Sequence, residues 1–268
     1  MKVRLKSGTL NYLDQGNGPA VLLIHAFPLN HTMWQPQVAV LASRFRVIAP
    51  DIRGFGESLP PAPWTIEEMC DELAEFLDKL NVKTCALAGV SMGGYIGLPF
   101  YLKYPDRVRQ IILANTRARA DNDAEKAART EMIAALEQQG AGILPDRMLP
   151  RLLKPNPSPE VVHLVRGIMA NVSASAAIYA VMAMRDRPDS TSLLHRVKSP
   201  ALVVAGEHDV ITNINECRSI AEAIPGAQFA LISNAGHLSN LENPDEFNRA
   251  LMDFLVGVVK LSGQDHST

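Results

Sequence analysis

The chain has 268 residues, 47% of them hydrophobic, and a formal net charge of −2. That length suits one α/β domain carrying an insertion better than two independent domains, and so small a charge favours neither nucleic acid nor an anionic membrane as partner. The start, Met1 to Lys6, lacks the apolar stretch of a secretory signal and no apolar run is long enough to cross a bilayer, so a soluble cytoplasmic protein is expected.

Residues 3–5 and 10–14, joined through Ser7 and Gly8, read as an antiparallel hairpin. Short apolar, strand-like runs then follow at 21–24, 47–49, 84–88, 111–114, 201–205 and 229–232, alternating with helical patterns. Such alternation predicts right-handed crossovers and a mostly parallel sheet covered by helices on both faces. Between residues 116 and 196 the rhythm breaks: no convincing strand appears, and helices are expected at 123–138, 145–153, 159–171 and 175–185. Pro155, Pro157 and Pro159 stiffen one connection there, and Gly140 and Gly142 supply a bend. The block is expected to lie as a cap over the carboxyl ends of the strands, giving a core of 1–115 and 197–261, a helical cap of 116–196 and a flexible tail of 262–268, where His266 has no expected role.

Gly89, Val90, Ser91, Met92, Gly93 and Gly94 separate the strand-like run 84–88 from a helical run at 95–104. Gly-x-Ser-x-Gly at such a junction makes a sharp turn that presents one hydroxyl, and glycines at 89 and 93 let the neighbouring backbone approach closely. Gly206, Glu207, His208 and Asp209 follow the run 201–205, and Asn234, Ala235, Gly236 and His237 follow 229–232. Ser91, Asp209 and His237 thus stand in the order nucleophile, acid, base, each after a strand. His208 competes with His237 as base, although neighbouring loop residues point in different directions. Cys70, Cys85 and Cys217 are odd in number and widely spaced, which points to neither a disulfide framework nor a zinc site.

On these residues, together with the 25–28 loop, the segment from Asp51 to Ser58 and Gly236 with His237, the sequence resembles the α/β-hydrolase superfamily, in its esterase, 3-oxoadipate enol-lactonase and cofactor-free perhydrolase-like branch. The resemblance implies the α/β-hydrolase fold, with a central sheet of about eight strands and a helical cap insertion. It implies Ser91, Asp209 and His237 as catalytic residues, and backbone N–H groups of Phe27 and Met92 as the oxyanion hole. Ala26 stands where the family usually carries glycine, so its methyl group is expected to shape the oxyanion loop. Ala26 and Trp34 are the candidate pocket residues, Trp34 being equally readable as a helix anchor. The segment from Asp51 to Ser58 is expected to shape a turn, with Arg53 free to pair with a carboxylate, and His25 to fix its own loop by hydrogen bonding. Met132, Met148, Met169, Met182 and Met184 fall in the insertion, where packing is their commonest use and pocket lining the second.

The chemistry expected is ester cleavage through an acyl-serine, needing neither metal nor organic cofactor. Lactone opening and perhydrolysis are alternative outcomes of the same intermediate, and the expected partner is a small ester or lactone. Serine at the elbow argues against the epoxide-opening and dehalogenating relatives, which use a carboxylate nucleophile. A non-catalytic small-molecule receptor on the same scaffold is the reading from a different class.

Overall fold

The computed structural model describes residues 1–262, with side chains to residue 257, so that residues 263–268 of the expected tail, His266 included, lie outside the described residues. The hairpin is present as β1 (Lys2–Leu5) and β2 (Gly8–Gln15), and is followed by β3 (Ala20–Ile24), α1 (Gln35–Leu41) and β4 (Arg46–Pro50). Next come α2 (Ile66–Lys79), β5 (Cys85–Val90), α3 (Met92–Lys103) and β6 (Val108–Ala114). The sheet is 8-stranded, its order completed by β7 (Ala201–Gly206) and β8 (Gln228–Ile232) as β1-β2-β4-β3-β5-β6-β7-β8. β2 runs antiparallel to β4, and all pairs from β4 to β8 are parallel.

Strands covered on both faces need apolar residues at every position rather than at alternate ones, which is what β3, β5 and β7 carry: all are buried throughout. The pleat then sorts them. Leu22 and Ile24 of β3 join one apolar cluster with Leu73, Phe76, Ile96 and Phe100, whereas Val21 and Leu23 join the other with Val38 and Phe247. α2 and α3 therefore cover one face. The opposite face is closed by α1 and by the last helix, which follows α8 (Ile214–Ala223) and the short α9 (Ser239–Glu242) and is numbered α10 (Pro244–Ser262).

Between β6 and β7 the chain makes the expected helical insert: α4 (Asp123–Gln139), α5 (Leu144–Leu152), α6 (Pro159–Met169) and α7 (Ala174–Arg185). Its ends are tied together and to the sheet domain by charge. Buried Asp121 pairs with Arg129 of α4 and with Arg187, whose guanidinium also lies 4.1 Å from the ring centroid of Tyr95 on α3. Arg117 bridges Glu125 in the insert to Glu216 on α8. No single helix among the described residues is long and apolar enough to cross a membrane. The cysteines are buried free thiols, and burial pushes each up to about 12.

Candidate active site

The turn after β5 puts Ser91 at φ +54 and ψ −113, a region that a residue with a side chain rarely occupies. Its main chain is held by Ser91 N–H donating to the Ala114 carbonyl at 3.0 Å and by Thr116 Oγ1 donating to the Ser91 carbonyl at 2.8 Å. Glycine is required around it by contact. A Cβ on Gly93 would stand 2.1 Å from the Ile24 carbonyl oxygen, and one on Gly89 would stand 2.3 Å from the Gly93 carbonyl. The close approach seats the first turn of α3 beside the loop that leaves β3. Met92, its first residue, has an N–H with no partner inside the helix, and Phe27 of the β3 loop lines the same cavity as Ser91.

Asp209, just past β7, is met by donors on both oxygens. Oδ1 accepts from the backbone N–H groups of Ile211 and Thr212 at 2.8 and 2.9 Å. Oδ2 accepts from Thr212 Oγ1 at 2.5 Å, Asn115 Nδ2 at 2.9 Å and His237 Nδ1 at 2.8 Å. Burial opposes the charge on Asp209, but its attraction to His237 and the hydrogen bonds from His237, Thr212 and Asn115 outweigh it and hold the carboxyl well below its usual range. With Nδ1 committed to Asp209, Nε2 is the nitrogen left to accept a proton.

His237 sits on a loop pinned to the insert. Glu242 of α9 accepts from Gly236 N–H at 2.7 Å through one oxygen and from Lys154 N–H, just beyond α5, at 2.8 Å through the other. Leu238 N–H donates to the Leu152 carbonyl at 3.1 Å. Burial raises the Glu242 carboxyl above its ordinary value.

Ser91 and His237 both line a cavity of about 210 Å³ that is shared by the sheet domain and the insert, without a hydrogen bond between the two side chains in this structure. Its apolar wall includes Phe27, Tyr95, Met132, Met148, Val181 and Met184, so three of the five insert methionines serve the second of their expected uses. Met169 is core and Met182 is exposed. His208 is also exposed, 3.7 Å from Glu207, and its ring is not among the donors to Asp209.

Neither candidate pocket residue lines the cavity. Trp34 is fully buried on the far layer, its ring centroid 6.4 Å from that of Phe247, because its 3-10 turn directs it toward α10. It is the helix anchor. Ala26 is equally buried within that apolar cluster and its N–H is taken by Met33 Sδ at 3.2 Å, so the methyl group packs inward. His25 does fix its loop: Nε2 accepts from Ile52 N–H at 2.9 Å, which leaves Nδ1 to donate to the Ala26 carbonyl at 3.0 Å. The turn from Asp51 to Ser58 is structural, with Asp51 accepting from Asn11, His31 and Glu57, and Arg53 pairs with Glu72.

Asn115, Thr212 and Glu242 were not singled out for the site by the sequence. Asn115 had a signal, since it directly follows β6 at the carboxyl edge where α/β sheets place ligands. Thr212 and Glu242 act through side-chain geometry that no spacing encodes.

Residues 19–244 match the family description alpha/beta hydrolase fold. The chain belongs to the α/β-hydrolase family. Among its relatives in that family is 3-oxoadipate enol-lactonase 2 of Acinetobacter baylyi, 30% identical over 248 residues that cover 90% of this chain and 91% of that protein. A thermophilic esterase from Thermogutta terrifontis superimposes with a TM-score of 0.91 at 37% identity, covering 96% of this chain and 98% of the other. The enol-lactonase from Burkholderia xenovorans gives 0.89 at 29% identity, with 96% and 100% covered. The chain is a hydrolase of this fold.

Proposed function

We propose that this hydrolase cleaves carboxylic esters of small substrates through an acyl-serine formed on Ser91, with lactones as alternative substrates of the same intermediate. The observation that carries the proposal is the His237 to Asp209 hydrogen bond of 2.8 Å, on a histidine that faces the same cavity as Ser91. Ser91 Oγ attacks the ester carbonyl as His237 Nε2 takes its proton, and the Phe27 and Met92 N–H groups receive the negative charge that develops on the carbonyl oxygen. The tetrahedral species collapses as His237 returns the proton to the leaving alcohol, and water activated by the same nitrogen then releases the acid. Asp209 keeps the tautomer correct and stabilises the imidazolium without taking the proton itself. The esterase and enol-lactonase relatives support both substrate types, because each reaction passes through one acyl-serine.

A fluorophosphonate probe tests the reading. Stoichiometric labelling of the folded protein, abolished in Ser91→Ala along with turnover of p-nitrophenyl esters, is expected. Folded protein that resists labelling and turns over neither esters nor lactones is a receptor on a hydrolase scaffold.

A further inference from the structure

Four arginines line the cavity: Arg117, Arg129, Arg147 and Arg151. The first two are neutralised in place, Arg117 by Glu125 and Glu216 and Arg129 by Asp121. Arg147 and Arg151 are different. Neither makes an ion pair or a side-chain hydrogen bond to any described residue, and the acids among the described residues of the cavity wall, Asp121 and Glu125, are those already engaged. Asp146, their neighbour on α5, is exposed and turned to Arg166 at 3.1 Å.

The two free guanidiniums are four residues apart on α5, which puts them one above the other on a single helix face. That helix is also the part of the insert fastened to the catalytic loop, through Leu152 to Leu238 and through Glu242 to both Lys154 and Gly236. The pair is therefore held in fixed relation to His237. Arg151 complements the carbonyl end of its helix, but Arg147, a turn earlier, has no such use. In a chain whose net charge is −2, the cavity that Ser91 faces carries two uncompensated positive charges.

We propose that Arg147 and Arg151 form an anion-recognition pair, and that the substrate is an ester or lactone bearing a free carboxylate on the portion that reaches α5. This inference rests on the hydrolase reading above and narrows it. The guanidinium fork matches a carboxylate in a bidentate way, whereas an uncharged acyl chain leaves both arginines without a partner. The pair also gives the cavity mouth a field that draws anionic substrates in and weakens as salt rises.

The test compares p-nitrophenyl hemiglutarate with p-nitrophenyl valerate, which are close in length and differ in the terminal carboxylate. The expected ratio of their kcat/KM values favours the anionic ester by roughly ten- to hundredfold, the size of a hydrogen bond to a charged group. Both Arg147→Leu/Arg151→Leu and high ionic strength should bring that ratio towards one. Since both side chains are exposed, the double variant retains its fold. A wild-type ratio at or below one, or a ratio that survives the double substitution, overturns the proposal. If the wild type turns over neither ester, the hydrolase reading is decided by the fluorophosphonate and lactone test above, and the arginine pair is judged by binding instead. Calorimetry on Ser91→Ala should then show monomethyl glutarate, which keeps one free carboxylate, binding more tightly than uncharged methyl valerate, with the difference lost in the arginine variant, and equal binding of the two refutes the pair.

Discussion

The Asp209 carboxylate is over-determined. Oδ2 of Asp209 alone receives three donors, and Asn115, which supplies one, is itself set by Ser239 Oγ donating to its Oδ1 at 2.5 Å. These contacts fix the carboxylate and lower its proton affinity, so Asp209 stays ionised beside His237. Asp209→Asn should retain the fold yet lower kcat by about 10⁴-fold, since an amide presents the wrong group to Nδ1. A kcat within tenfold of the wild type would mean that another group orients the imidazole. Thr212→Val removes one donor and leaves the other two. The carboxylate then attracts the imidazolium more strongly, so the acidic limb of kcat/KM should move to higher pH, with kcat reduced by about tenfold. An unmoved limb with unchanged kcat would reduce Thr212 to a packing residue.

Elements explain both what the sequence disclosed and what it concealed. The strands after residue 20 were legible because burial on both faces leaves them no polar positions, and the elbow was legible because Gly89 and Gly93 have no substitute at their backbone contacts. α3 was read as starting at residue 95 but begins at Met92, since Gly93 and Gly94 weigh against a helix by propensity and close packing overrides them. α2 went unread despite a start signal: Thr65 and Glu68 form a reciprocal capping box, with apolar Ile66, Met69, Cys70 and Leu73 at helical spacing. The far-layer placement of Trp34 had no such signal, because a sequence does not say which side of a sheet a 3-10 turn faces. The junction between the His237 loop and α5 was hidden for the same reason, and it carries its own prediction. Glu242→Gln places an amide N–H₂ where an oxygen accepts a backbone N–H, and so unpins either Gly236 or Lys154. Turnover of a small ester such as p-nitrophenyl acetate should fall with kcat affected more than KM, and Glu242→Asp should recover part of it. Loss confined to KM would assign Glu242 to the insert alone.

At the scale of the whole molecule, His25 ties the loop that bears Phe27 to global stability. It is fully buried among Phe55, the Asp51 turn and the β3 loop, and both ring nitrogens are used in the neutral form. Burial pushes its pKa down to about 4, against an ordinary value near 6.5. Between those values the unfolded chain holds a proton that the folded chain refuses, so the contribution is complete above pH 6.5 and is lost as pH falls towards 4. The whole window is worth about 3 kcal/mol. His25→Asn should be less stable at pH 7, because the Ile52 and Ala26 hydrogen bonds are disturbed, yet it should lose about 3 kcal/mol less than the wild type on acidification to pH 4. Urea unfolding at a series of pH values measures both curves. Parallel curves would mean that acid attacks the fold elsewhere, at the depressed carboxylates Asp51 and Asp209, whose protonation falls below this window. A converging pair would place the first acid-labile point of the molecule at the loop that bears Phe27, so that activity and folding would fail together on the acid side.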